Sequence, residues 1–61
     1  MKINQVYEEF EMGDFIVVIL KEDIEENGYL DEVNEDVNTI FLCDENNDLI
    51  EINVNDIKEI K

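Results

Sequence analysis

The chain has 61 residues, with 18 acidic residues, four lysines, no histidine and one cysteine, and its formal net charge is −14. This length allows one small domain, residues 1–61, and the single cysteine without histidine excludes an internal disulfide and a structural zinc site. So negative a surface repels nucleic acid and anionic lipid, and it attracts cations or basic proteins.

The first predicted element is a short helix within the first twelve residues. Ile3, Val6 and Phe10 have helical spacing, while Asn4 suits the N-cap and Gly13 can end the helix. A strand remains an alternative, because apolar side chains also recur at every second position in part of this stretch.

Two strands are predicted next, joined by a turn at Asn27-Gly28. Residues 13–20, GDFIVVIL, contain six consecutive apolar residues after a Gly-Asp turn, which predicts a strand buried on both faces. Asn-Gly is the strongest short-range hairpin signal, so residues 21–28 are predicted to lead into the turn and residues 29–33, YLDEV, to form the returning strand.

The second half of the chain predicts three more strands, at residues 39–43, 49–54 and 58–60, separated by turns at 34–38, 44–48 and 55–57. Phe15 and Phe41 are expected in the core. Five short strands with apolar residues on both faces predict a mainly β fold, in which the sheet bends and closes on itself. The predicted fold is a small SH3-like (Sm-like) barrel, optionally with a short N-terminal helix.

A sequence pattern in residues 28–60 supports this architecture. It consists of a glycine, two apolar positions around a turn, a strand, a polar turn, and an apolar-x-apolar segment followed by Asp-Ile-x-x-Ile, and it is carried by Gly28, Leu30, Val33, Ile40, Leu42, Ile50, Ile52, Asp56, Ile57 and Ile60. The pattern resembles the Sm-like barrel of the YolD-like family, in which the helical part before the barrel is longer. The resemblance implies association with a Y-family DNA polymerase.

The stretch that begins at Asp44 invites comparison with a calcium loop. Asp44, Asn46 and Asp48 fill the first, third and fifth positions of an EF-hand loop, but Leu49 occupies the position of the required glycine and Asn55 that of the bidentate glutamate. A register ten residues earlier also lacks the glycine. The sequence therefore predicts neither a metal site nor any other cofactor.

Catalytic residues are also not predicted. The chain has no histidine, serine or arginine and no glycine-rich phosphate loop. Cys43 is the one strong nucleophile, and its neighbours Asp44 and Glu45 disfavour the thiolate, so we expect a structural cysteine. The sequence indicates a protein that is not an enzyme.

The acids indicate a binding surface for a protein. Residues 22–38 hold eight acids and no base, and Tyr29 lies among them as a candidate interface anchor, with a partly buried barrel tyrosine as the alternative. The expected partner is the basic surface of a nucleic-acid-binding protein, with no direct contact to nucleic acid or membrane. The predicted partner-binding residues are Glu22, Asp23, Glu25, Glu26, Tyr29, Asp31, Glu32, Glu35 and Asp36.

The leading functional hypothesis is a phage or mobile-element inhibitor of a nucleic-acid-handling or host-defence protein, acting partly as a DNA mimic. The alternatives are an accessory protein of a Y-family polymerase, an Sm-like homo-oligomer that binds a small ligand between subunits, and a charge that serves only solubility. The start of the sequence has no signal-peptide pattern and the apolar run at 15–20 is too short to span a bilayer, so the expected location is the cytoplasm of a bacterial host.

Overall fold

The fold is a single five-stranded antiparallel sheet preceded by a short helix, in a computed structural model that describes residues 1–61. The elements are α1 (Ile3–Glu9), β1 (Phe15–Leu20), β2 (Glu25–Asn34), β3 (Thr39–Cys43), β4 (Leu49–Asn53), a 3-10 turn (Val54–Asp56) and β5 (Ile57–Ile60). The sheet order is β4-β3-β2-β1-β5, which confirms the predicted mainly β fold with a short N-terminal helix and is consistent with a small β-barrel-like fold. The predicted closure is not completed by strand pairing, because the end strands β4 and β5 do not pair with each other.

The ten-residue strand β2 connects the two halves of the sheet. Its first half pairs with β1 and its second half with β3, and Tyr29 pairs with both Phe15 and Cys43. The neighbouring Gly28 is buried, and a Cβ atom there would lie 2.8 Å from the carbonyl oxygen of Cys43. Glycine therefore permits the close approach of backbones at the point where β2 passes from one partner strand to the other.

The prediction of a hairpin turn at Asn27-Gly28 is wrong, because both residues lie inside β2. The chain reverses earlier, where the N–H of Asp23 donates to the carbonyl of Leu20 at 2.8 Å and the N–H of Leu20 donates to the carbonyl of Ile24 at 2.8 Å. Asp23 adopts φ 63°, a left-handed conformation that aspartate tolerates better than most residues. The turn thus uses Asp23, and the glycine serves the interior of the strand.

A β-bulge determines which side chains in the second half of β2 face the core. The pairing register with β3 shifts between Leu30 and Glu32, which leaves Asp31 as the extra residue. Strict alternation from the buried Leu30 would place Glu32 on the inner face. With the bulge, Glu32 is exposed and Val33 lies opposite the buried Ile40, packed against the core.

The predicted short N-terminal helix is confirmed as α1, which has seven residues, and its N-cap is Lys2 instead of the predicted Asn4. The backbone N–H of Lys2 donates to Oε1 of Gln5 at 2.7 Å, so the helix begins before Asn4, and it ends at Glu9, well before Gly13. The last turn contains no basic residue to complement the helix dipole. Gly13 instead forms a turn with φ 92° before β1. No helix of this chain has the length and apolar content required to cross a membrane.

The core lies between the inner face of the bent sheet and α1. Val6 is fully buried, and the hydroxyl of Tyr7 donates to the carbonyl of Val33 at 3.3 Å, which fixes the helix against β2. No buried side-chain polar atom lacks a hydrogen-bond partner. The core residues are Val6, Ile16, Val18, Leu30, Ile40, Leu42, Ile52, Val54 and Ile57.

The two phenylalanines predicted for the core do not belong to it. Phe15 is 55% exposed, and the half-buried Phe41 is paired in register with the exposed residues Glu32 and Glu51, so it lies on the outer face. Only alternate residues of β1 are buried, beginning with Ile16. The outer face of the sheet therefore keeps apolar side chains in contact with solvent.

Candidate protein-binding surface

The predicted acidic residues fall into two groups at the two ends of β2. Uncharged residues 27–30 separate the groups, and every one of the acids is exposed except Glu26, which is half-buried opposite Val18. The structure therefore gathers each group but does not join them into one continuous ridge of charge. The hairpin-end acids are Glu22, Asp23, Glu25 and Glu26, and the far-end acids are Asp31, Glu32, Glu35 and Asp36.

Tyr29 lies between the hairpin-end acids and the far-end acids. Its side chain is 51% exposed, so its ring is accessible to a partner. The ring meets that of Phe15 edge-on, with centroids 5.2 Å apart and an angle of 72° between the planes. This geometry is the favoured one for an aromatic pair, and it holds two exposed rings in a defined orientation.

Almost none of the negative charge is compensated within the chain. The one salt bridge joins Nζ of Lys58 to Oδ1 of Asp23 at 3.0 Å, and both side chains are more than half exposed. The other 17 of the 18 acids have no ion pair. Their field therefore acts on the surroundings of the protein.

The charge density of the molecule is comparable to that of a DNA duplex. The longest dimension of the protein is 27 Å. A duplex of that length carries about 16 phosphates, at one charge per roughly 1.7 Å of helix axis. The net charge of −14 on this chain is close to that value.

The turn at residues 44–48 is confirmed, and its carboxylate has a local role. Oδ1 of Asp44 accepts the backbone N–H groups of Asn46 and Asp48, each at 2.9 Å. Sγ of the half-buried Cys43 donates to Oδ1 of Asn47 at 3.4 Å. No group of three or more histidine, cysteine or acidic side chains is arranged to hold a metal ion.

Two open clefts flank Tyr29 on the outer surface. One, of about 430 Å³, is lined by Phe15, Tyr29 and Cys43 together with Asp44 and Glu45. The other shares the last four of these residues. No lysine lines either cleft. The sequence reasoning singled out Tyr29 here but missed Phe15, because the run FIVVIL is apolar at every position and carries no signal for the face that meets solvent.

The fold and this surface define a class: a small, mainly β protein with an exposed acidic surface whose charge is almost uncompensated within the chain. No protein-family model, no curated protein and no solved structure matches this chain. The resemblance of residues 28–60 to the YolD-like family therefore remains a prediction from the sequence.

Proposed function

We propose that this chain is a small acidic protein-binding module that inhibits a nucleic-acid-handling or host-defence protein by occupying its phosphate-binding surface. In this proposal it is encoded by a phage or mobile element and acts in the cytoplasm of a bacterial host, partly as a DNA mimic. The observation that carries the proposal is the net charge density, which is close to that of duplex DNA over the length of the molecule, while only one of the 18 acids forms a salt bridge.

Binding of this kind depends on many weak contacts. An exposed ion pair contributes only about 0.2–1 kcal/mol, so no single acid is expected to dominate. The hairpin-end acids and the far-end acids present charge at both ends of β2, with exposed Tyr29 between them. A basic surface that normally follows a nucleic-acid backbone could contact both groups at once, and the shared field would accelerate association.

Group neutralisation tests this proposal. The immobilised chain would capture its partner from a bacterial lysate at low salt, and binding of the purified partner would then be measured at two salt concentrations. The test variant replaces two acids of each group, through Glu22→Gln, Glu25→Gln, Glu32→Gln and Glu35→Gln. At about 0.4 kcal/mol for each pair, we expect roughly a tenfold loss of affinity.

A matched control removes the same charge elsewhere. The control carries Glu8→Gln, Glu9→Gln, Glu11→Gln and Glu59→Gln, all of them exposed positions outside the two groups. It should lose clearly less affinity, and duplex DNA should displace the unmodified chain from the partner. Equal losses in the two variants would show that the charge serves solubility, and a complex that DNA does not disturb would exclude DNA mimicry.

The DNA competition also addresses the accessory-protein alternative. An inhibitor that mimics DNA excludes DNA from its target, whereas an accessory protein of a Y-family polymerase has to bind while the polymerase engages DNA. A ternary complex of chain, captured protein and DNA would therefore favour the accessory function that the YolD-like resemblance implies.

A homo-oligomer is a second candidate, and the two edges of the sheet favour it. Strands β4 and β5 each pair with only one neighbour, so each has an unpaired backbone edge. An edge-to-edge contact would place a cleft between subunits, as required for an Sm-like oligomer with a small ligand. Sedimentation equilibrium at high salt, where the repulsion between copies is screened, would reveal a defined multiple of the 7.2 kDa monomer mass.

A further inference from the structure

Four apolar side chains form a continuous row across the outer face of the sheet. Phe15 pairs with Tyr29, Tyr29 with Cys43, and Cys43 with Leu49, so the row crosses β1, β2, β3 and β4 at one level. Directly paired residues of antiparallel strands project from the same face. Phe15, Tyr29 and Leu49 are each more than half exposed, and Cys43 is half-buried. We call these four residues the apolar row.

Acidic groups border the apolar row. Asp44 and Glu45 line both clefts beside Tyr29, and Asp31 lines one of them. Asp14 directly precedes Phe15 in the chain. The apolar row is thus an uncharged strip within a negative surface, and an apolar partner without positive charge would desolvate these carboxylates without compensation.

We propose that the apolar row is the docking site for an extended segment of the partner that carries arginine and an apolar residue at alternate positions. The inference deepens the proposed function and depends on it, since it specifies the partner as an arginine-bearing protein. The proposed docking site does not include the acids that the neutralisation test replaces, so the two proposals can be tested separately.

The chemistry of the apolar row favours arginine over lysine. A guanidinium group stacks on an aromatic face and can at the same time donate paired hydrogen bonds to a carboxylate. The rings of Phe15 and Tyr29 provide the faces, and Asp44 and Glu45 provide carboxylates in the same cleft. Leu49, at the other end of the apolar row, is then the contact for the apolar residue of the segment.

The length of the apolar row fits a short extended peptide. Four strands at a spacing of roughly 4.8 Å place Phe15 and Leu49 about 14 Å apart along the sheet. An extended chain rises about 3.3 Å per residue, so about five residues span the apolar row, and alternate side chains point towards it. The probe is therefore an acetylated, amidated pentapeptide, Arg-Ser-Arg-Ser-Leu, and its equally charged counterpart has lysine in place of arginine.

Titration of the isotope-labelled chain with each peptide, followed by amide chemical shifts, tests the proposal. The arginine peptide should shift the amides of Phe15, Tyr29, Cys43 and Leu49 most strongly and should bind about threefold more tightly than the lysine peptide. Phe15→Thr and Tyr29→Thr should each lower the affinity for the arginine peptide about fivefold or more. Threonine keeps the strand propensity, and the spectrum of each variant reports whether it is folded.

The control is Val37→Thr, an exposed apolar position in the turn between β2 and β3, and it should leave the affinity unchanged. Equal affinity for the two peptides, or shifts centred on the hairpin-end or far-end acids, would overturn the proposal. Shifts of the apolar row that depend on protein concentration without peptide would also overturn it, because a second copy would then cover the row. If neither peptide shifts the amides of the apolar row while group neutralisation still lowers the affinity for the captured partner, this inference fails and the proposed function stands.

Discussion

Replacement of Gly28 by alanine should strongly destabilise the fold. The added Cβ would lie 2.8 Å from the carbonyl oxygen of Cys43 and 3.2 Å from Cβ of Leu42. The closest atom belongs to the backbone of β3, so it cannot move aside as a flexible side chain would. Overpacking of this kind costs about 1–3 kcal/mol, and the reduced freedom of the unfolded alanine chain offsets only about 0.4–1 kcal/mol. The expected net loss is about 1.3 kcal/mol.

That loss is large for a domain of this size, whose core rarely supplies more than about 3–5 kcal/mol. Urea unfolding followed by far-UV circular dichroism should show it as a lower midpoint, and a thermal scan should show a melting temperature lower by roughly 5–10 °C. The comparison variant is Gly13→Ala, where φ is 92° but nothing lies within 4 Å of the added Cβ.

The two glycines are expected to respond differently to asparagine. At Gly13 the cost comes from the positive φ, which asparagine tolerates better than alanine, so Gly13→Asn should be more stable than Gly13→Ala. At Gly28 the cost comes from the contact with Cys43, so Gly28→Asn should be no better than Gly28→Ala. The reasoning is refuted if Gly28→Ala unfolds at the same urea concentration as the unmodified chain.

Three further predictions follow from charge and hydrogen bonding. Screening of the repulsion between acids should stabilise the fold, so the melting temperature should rise with sodium chloride. Between about 0.01 M and about 1 M salt, the Debye length falls from about 30 Å to about 3 Å. A selective increase of the melting temperature by micromolar calcium would contradict this account. Lys58→Ala removes an exposed salt bridge to Asp23 and should change the free energy of unfolding, measured in urea, by no more than about 0.5 kcal/mol. Asp44→Ala removes the acceptor of two backbone N–H groups and should cost about 1–2 kcal/mol in the same assay, whereas Asp44→Asn should recover most of that loss because its side-chain oxygen can still accept. Equal instability of the two Asp44 variants would show that charge, and not the acceptor, matters in this turn.

Local sequence was sufficient where local interactions determine the structure. Residues 39–43 were predicted as a strand and form β3. The strand predicted at 49–54 is one residue longer than the observed β4. Between them, the turn is held by bonds from Asn46 and Asp48 to the side chain of Asp44, all within five residues. Such turn chemistry can be read from the residue types alone.

Non-local pairing determined the features that the sequence did not reveal. Asn27-Gly28 carries a strong hairpin signal, but a glycine also permits a sharp bend inside a strand, and the choice depends on where β3 packs. The bulge at Asp31 likewise exists only in relation to β3. Because these contacts join residues about nine to fifteen positions apart, the pattern around Gly28 could not distinguish a turn from a position inside a strand.

The acidic surface was predictable, whereas the apolar row was not. Acids in a chain of this charge are expected to be exposed, and nearly all of them are. The run FIVVIL is apolar at every position, so it predicts a strand buried on both faces. In the structure only one face of this strand is buried, and the run contains no polar residue that would indicate the exposed face. Phe15 was assigned to the core for this reason, although it lies in the apolar row.

Charge and apolar surface are physically linked in this molecule. Exposed rings and Leu49 would favour association between copies, and a net charge of −14 opposes that association by mutual repulsion. The same repulsion would keep the apolar row free for the basic partner that we propose, which the acids would attract. Added salt should weaken this protection while it stabilises the fold. A melting temperature that rises with salt independently of protein concentration would report on the fold alone, whereas a rise that depends on protein concentration would indicate that copies associate through their exposed surface.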